Sequence, residues 1–289
     1  MFLGIRITPV PSGHFLDQQQ YAQAILQASG FLNCKPSPTP ISLKPQTHKA
    51  STQPSHDPTL YRQLASSLQY LTITRLDVAF ATNQICQHMH DPQPGDFQAL
   101  KRLLSYIQGT ITYGLPPLHT NLDLTTYVDV DWASDNTDQK STTGFCTFLG
   151  SNLISWTLKK QNTVAKSSTE AEYRALAAAT SDILWLRRLL REFDASQTQP
   201  TKIFCDNTSA IALAKNPIFH ARTKHIEIDY HFISHHINNK EIKVLHINSI
   251  AQHADLLTKP LPTSRFQELR TKLTILARDN QFEGAVRIH

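Results

Sequence analysis

Leu122, Leu124, Thr126 and Val128 stand on alternate positions, so 122–128 is expected to be a strand that buries one face. Two more strands follow at 142–149 and 153–158, and Gly150-Ser151-Asn152 between them has the composition of a hairpin turn. The spacing then changes to three and four. Leu176, Ala179, Ile183, Leu186 and Leu190 stripe one face of a long helix, expected over 169–193. Beyond it the pattern alternates: strand at 202–205, helix at 208–215, and a helix at 223–239 striped by Ile226, Tyr230, Ile233 and Ile237. A strand at 242–247 and a last helix from Gln252 follow. Hairpins first and strand-helix alternation afterwards predict a mixed sheet with helices packed on it, an α/β architecture.

The first 120 residues read differently. Residues 1–8 have the alternation of a short strand, turned by Pro11-Ser12-Gly13, and a helix follows with Asp17 as N-cap and Gly30 past its end. From 35 to 58 prolines recur at 36, 38, 40, 45, 54 and 58, so an extended connection rather than core is expected. Three helices come next. Tyr61, Leu64, Leu68 and Leu71 stripe the first; Val78, Ala81, Ile85 and Met89 the second; Phe97, Leu100, Leu104 and Ile107 the third. A bundle-like unit is implied, with no carboxylate cluster, glycine-rich phosphate loop or nucleophile motif in it.

Composition narrows the class without naming a chemistry. In 289 residues, 40% hydrophobic content suits one large or two modest globular domains. The net charge of +5 fits a polyanionic partner. No apolar run approaches the ~18 residues of a membrane span, and the first residues lack the basic leader of a signal peptide, so no membrane is expected. Cys34, Cys86, Cys146 and Cys205 are scattered and form no metal-type pair, which points to reduced thiols in an intracellular protein. His231 and His235 stand four apart, but Phe232 occupies the place where a zinc protease carries its glutamate, and no zinc site is expected.

Four acids change the picture. Tyr127-Val128-Asp129-Val130-Asp131 puts carboxylates where an apolar strand runs out, and such aspartates are ordinarily solvated turn formers. Glu170 begins the long helix, where Ser167 with Glu170, or Thr169 with Glu172, has the spacing of a capping box, so one of these acids has a structural role open to it. Asp206 closes Ile203-Phe204-Cys205 ahead of a helix, the place of an N-cap. Asp255 reads alone as an exposed helical acid. Taken in order they run strand-acid, helix-acid, strand-acid, helix-acid. Carboxylates converging from different elements are what a phosphodiesterase with two hard divalent cations needs, and oxygen ligands suit Mg²⁺ or Mn²⁺.

Residues 122–261 closely resemble the ribonuclease H domain of copia-type LTR retrotransposon Pol polyproteins. The resembling blocks are Tyr127 to Ala133, Ser141-Thr142-Thr143-Gly144-Phe145, Ile154-Ser155-Trp156, Ser167 to Tyr173, Cys205-Asp206-Asn207, His220 to Phe232 and Ala254 to Pro262. The wording of Arg75-Leu76-Asp77-Val78-Ala79 and Leu104 to Thr110 is similar to the same polyproteins between polymerase palm and nuclease. The resemblance implies three segments: a mainly helical end of the reverse transcriptase region over 1–120, without the polymerase aspartates; a ribonuclease H-like five-stranded mixed sheet with flanking helices over 121–262; and a tail over 263–289. It implies metal-dependent hydrolysis of the RNA strand of an RNA–DNA hybrid, with Asp129, Glu170, Asp206 and Asp255 holding two Mg²⁺ ions, or Mn²⁺, and Asp131 outside that set. Lys159, Lys160, Lys166, Arg222 and Lys224 are candidates for the hybrid's phosphates. The rest of a Pol polyprotein is the implied protein partner, in the cytoplasm, the nucleus or a virus-like particle. The alternative is a catalytically idle fragment that only binds nucleic acid. The family's mobile-loop histidine has no match in Asn248-Ser249-Ile250-Ala251, where His253 is the nearest substitute.

Overall fold

The computed structural model describes residues 3–43, 57–118, 120–134, 138–216 and 226–278. It divides into two compact units, one of Met1–Leu118 with Pro260–His289 and one of His119–Lys259.

The first unit begins with two short antiparallel strands, β1 (Arg6–Val10) and β2 (Gly13–Asp17). Sequence spacing gives only the first of them. Asp17 is fully buried and meets Arg6 at 2.9 Å, while its other role is to accept from the Gln19 backbone N–H at the start of α1 (Gln19–Ser29). Helices α2 (Pro58–Leu71), α3 (Ala79–Gln87) and α4 (Pro94–Gly109) then pack with α1 around the expected stripes. Asp57 caps α2 by accepting from Thr59 N–H, and Pro58 sits at the first helical position, where its missing N–H costs nothing.

The proline-rich connection is a correction in part. Its described stretch does not trail free: Ser37 N–H donates to Ser105 O at 3.2 Å, Arg102 donates to Thr39 Oγ1 at 2.7 Å, and Thr39 is buried. Residues 44–56 lie outside the described residues.

The segment expected as a tail is another. Helix α9 (Thr263–Lys272) and β9 (Leu276–Ala277) belong to the first unit, where β9 pairs antiparallel with β3 (Tyr113–Gly114). Phe266 lies edge-on to Tyr106 at 5.5 Å, and Arg270 covers the Tyr113 ring at 4.6 Å while donating to the Tyr106 hydroxyl. Beneath them is a buried ion pair. Arg75, 1% exposed, holds both oxygens of Asp77 at 2.8 and 2.7 Å and also donates to Thr110 O and Oγ1; Tyr106 donates to Asp77 at 2.5 Å.

The second unit is the five-stranded mixed sheet with flanking helices that the resemblance implies. Its strands are β4 (Leu124–Asp131), β5 (Thr142–Leu149), β6 (Asn152–Lys160), β7 (Thr201–Cys205) and β8 (Ile242–His246), in the order β6-β5-β4-β7-β8. β5 runs antiparallel to both β4 and β6, and the tight turn Gly150-Ser151 joins β5 to β6. Gly150 has φ 60° and a Cβ there would meet the Asn121 carbonyl, so only glycine fits. β7 and β8 run parallel to β4, which requires crossovers: α5 (Ser168–Glu192) makes the first, and α6 (Thr208–Lys215) with α7 (Glu227–Asn238) the second. Leu176, Ala179 and Ile183 of α5 close over Val128, Ile203 and Val244 as the core.

Two features seat the last part of this unit on β4. Gln252, fully buried, donates to Val128 O at 2.8 Å. Gly144, paired with Asp129 across β4 and β5, lies so close to the short helix α8 (Asp255–Thr258) that a Cβ there would stand 2.7 Å from Thr258 and 2.8 Å from Leu257.

Candidate metal centre

β4 runs three residues further than expected, so Asp129 and Asp131 are strand residues paired with Gly144 and Thr142 rather than turn formers. Asp129 is 2% exposed, and Asp131 half-buried. Asp206 follows β7 directly. It is not the N-cap of α6, because Asn207 takes that task by accepting from Ala210 N–H at 3.0 Å. Asp206 instead accepts from Ser249 Oγ at 2.8 Å.

The acid that α5 brings to these two is Glu172. Carboxylate oxygens of Asp129, Glu172 and Asp206 all lie within 4.8 Å of one another. Glu170 is absent from the group, which corrects the sequence-based assignment. Successive helical residues turn by about 100°, so positions 170 and 172 project in nearly opposite directions, and only one can face the sheet. Glu170 serves the helix start. Its N–H donates to Ser167 Oγ at 3.2 Å, its Oε2 accepts from Lys166 N–H at 2.9 Å, and its Oε1 pairs with Arg174. The signal for Glu172 was present: it precedes Leu176, Ala179 and Ile183 by four, seven and eleven, and so continues their buried stripe toward the N-terminus.

Asp255, at the start of α8, reaches the group through a lysine. Lys259 Nζ stands 2.8 Å from Asp255 Oδ1 and 3.1 Å from Asp129 Oδ2. Thr258, from the same turn, donates its hydroxyl to Asp129.

Burial and mutual repulsion dominate the electrostatics. Burial, then the charges of Asp129 and Asp206, push the Glu172 carboxyl up to about 9, against the pull of Lys259 and a weak bond from the Cys205 thiol. Burial also raises Asp129 to about 6, although Lys259 and Thr258 oppose it. Without a cation, therefore, Glu172 holds a proton at neutral pH. Its folded pKa stands above that of a free glutamate, so the stability associated with its proton is complete below about pH 4.5 and is lost as pH rises through about 9. In chelator, the melting temperature is expected to fall between pH 5 and pH 9, and Glu172→Gln is expected to flatten that slope and add about 3 kcal/mol at pH 7. Calorimetric melting at several pH values checks this; a flat wild-type profile would refute it.

Of the phosphate candidates, Lys159 and Lys166 are exposed and Lys160 pairs with Asp138 at 3.0 Å. Arg222 and Lys224 lie outside the described residues. His253, the nearest substitute for the family's histidine, stacks on Tyr127 at 4.1 Å. His236 is bonded to Glu241 and His235 to Asn239. All four cysteines are free thiols, and among the described residues no helix is long and apolar enough to cross a membrane.

No family model matches the chain. It is 42% identical over 275 residues to the retrovirus-related Pol polyprotein from transposon RE1 of Arabidopsis thaliana, covering 95% of the chain and 19% of that protein. It is 41% identical over 288 residues to the polyprotein from transposon RE2 of the same plant, covering 99% of the chain and 20% of that protein. The chain thus spans about a fifth of the length of these relatives. Among solved structures it is similar to LC11-RNase H1 in complex with an RNA/DNA hybrid, at 15% identity and a TM-score of 0.36, over 47% of this chain and 93% of that one. The extent of the polyprotein matches, running through both units, makes the chain a member of the retrovirus-related Pol polyprotein family of copia-type transposons.

Proposed function

We propose that the second unit is a ribonuclease H that hydrolyses the RNA strand of an RNA–DNA hybrid with the help of divalent metal. Asp129, Glu172 and Asp206 would hold the metal, with Asp255 beside them. The observation that carries the reading is the meeting of three carboxylate oxygens within 4.8 Å, two of them on buried residues. Such an arrangement is costly without a cation to offset it. The donor set fits. It is all oxygen, which suits Mg²⁺ or Mn²⁺, and Glu172 has a proton to release as a metal arrives.

A divalent cation supplies charge that eases ionisation of a water and offsets the charge growing on the departing oxygen. The chain's own residues set the stage. The parallel pairing of β4 with β7 brings Asp129 and Asp206 to one end of the sheet, Ser249 and Thr258 orient the two carboxylates, and the core stripe of α5 presents Glu172. The net charge of +5 draws a polyanion. Lys159 and Lys166, both exposed, are kept as candidates for phosphate contacts, as Arg222 and Lys224 are by sequence. The first unit reads as part of a reverse transcriptase region, and the rest of a Pol polyprotein is the natural partner, inside the cell or a virus-like particle.

The purified chain is expected to cleave the RNA strand of a hybrid in Mg²⁺ and not in chelator. Asp206→Asn should lower cleavage by orders of magnitude while stability changes by less than about 1 kcal/mol, since Asn207 keeps the helix cap. Asp131→Asn should keep most activity, because that side chain stands outside the three-carboxylate group. A chain that binds hybrid yet shows no Mg²⁺-dependent cleavage at any concentration would establish the idle, binding-only fragment instead.

A further inference from the structure

Asp129 belongs to two groupings at once. It meets Glu172 and Asp206, which accept, among the described residues, from the Cys205 thiol and the Ser249 hydroxyl. Lys259 also joins it to Asp255: its ammonium stands 3.2 and 3.1 Å from the two oxygens of Asp129 and 2.8 Å from Asp255 Oδ1. Among the described residues no ammonium or guanidinium bonds Glu172 or Asp206, whereas Lys259 bonds Asp255 and both oxygens of Asp129.

Resting on the metal-dependent reading above, we propose that Lys259 is a tethered cation occupying the second of two adjoining cation positions. The chain then takes up one divalent ion through Asp129, Glu172 and Asp206, and admits a second, between Asp129 and Asp255, only when Lys259 leaves. Three observations support this. The lysine lies four residues after Asp255 on the same short helical turn, so its stem reaches back over that carboxylate without strain. Its ammonium bonds both oxygens of Asp129, the carboxylate that a second ion would share with the first, and two cations on one carboxylate repel. Its side chain is 38% exposed on a flexible four-carbon stem, so it has a route out to solvent, unlike the fully buried Arg75. The lysine is a positioning residue in this account. It holds α8 against β4 when metal is scarce and sets how much metal the site needs for its full complement.

The test is calorimetric titration of Mn²⁺ into the full-length chain, free of nucleic acid, so that the readout is stoichiometry and affinity rather than cleavage. Wild type is expected to bind one ion tightly, with a second at least about tenfold weaker. Lys259→Gln should tighten the second ion by about tenfold or more, Lys259→Arg should keep the wild-type pattern, and Lys272→Gln, in the first unit, controls for the loss of one charge. Two ions of equal affinity in wild type would overturn the inference and leave the metal-dependent reading standing. So would a Lys259→Gln isotherm indistinguishable from wild type. If wild type and variants bind no ion, the metal-dependent reading falls and this one with it. Should Lys259→Gln fail to fold by circular dichroism, the wild-type and Lys259→Arg isotherms decide alone.

Discussion

Glu172→Gln is expected to remove Mg²⁺-dependent hybrid cleavage by orders of magnitude, whereas Glu170→Gln, two residues away, should leave it within a few-fold of wild type. Glu172 contributes one of the three oxygens that meet within 4.8 Å, and a neutral amide there takes away a charge that a cation needs. Glu170 instead accepts from Lys166 N–H and pairs with Arg174, so its loss should appear as about 1 kcal/mol of helix-end stability and not in turnover. The two variants also diverge in chelator: Glu172→Gln should melt higher than wild type and Glu170→Gln lower. Cleavage and melting measured on both proteins decide the matter. An inactive Glu170→Gln beside an active Glu172→Gln would mean that α5 is rotated by about 200° from the orientation described.

Asp77→Ala should have the largest effect on stability, about 3–5 kcal/mol, because it strands the buried Arg75 guanidinium. Burial by itself would raise the Asp77 carboxyl, but Arg75 and the Tyr106 hydroxyl hold it below the usual carboxylate range. A depressed pKa gives stability that is present at neutral pH and is lost as pH falls through that carboxyl's range. Removing both partners is a different experiment. Arg75→Met with Asp77→Leu leaves no charge to strand, and should recover most of what Asp77→Ala loses. Denaturant melts of the single and double variants check this; equal losses in the two would show that Thr110 and Tyr106, not the missing countercharge, set the cost.

Local spacing was enough wherever local contacts decide the outcome. The strand at 142–149 and the helix at 208–215 lie where alternation and the four-residue stripe put them. Asp129 and Asp206 were legible because each follows an apolar run whose end is fixed by burial. Glu170 and Glu172 were not separable by capping chemistry, since two capping boxes overlap there and both read well. Extending the stripe back from Leu176 would have separated them, because burial, not capping, fixes a helix's rotation. Lys259 was passed over because a lysine at the end of a helical turn is ordinarily solvated, and its two partners lie on elements far apart in sequence. The first unit was hardest for the same reason. Nothing local in 263–277 announces that Phe266 and Arg270 fit against Tyr106 and Tyr113, and α9 buries only Phe266 and Leu269.

β3 has to wait for its partner. Tyr113 and Gly114 leave the ribosome about 160 residues ahead of Leu276 and Ala277, roughly 8–30 s at ordinary elongation rates. In that interval the whole of His119–Lys259 is synthesised, so the later unit in sequence is the first with all its residues available. Until α9 emerges, Tyr106 and Tyr113 lack the cover of Phe266 and Arg270 and present aromatic surface to whatever meets the nascent chain. A nascent chain paused just before α9 emerges would therefore display a complete sheet and an uncapped bundle, the state in which chaperone capture and proteolysis have most to act on.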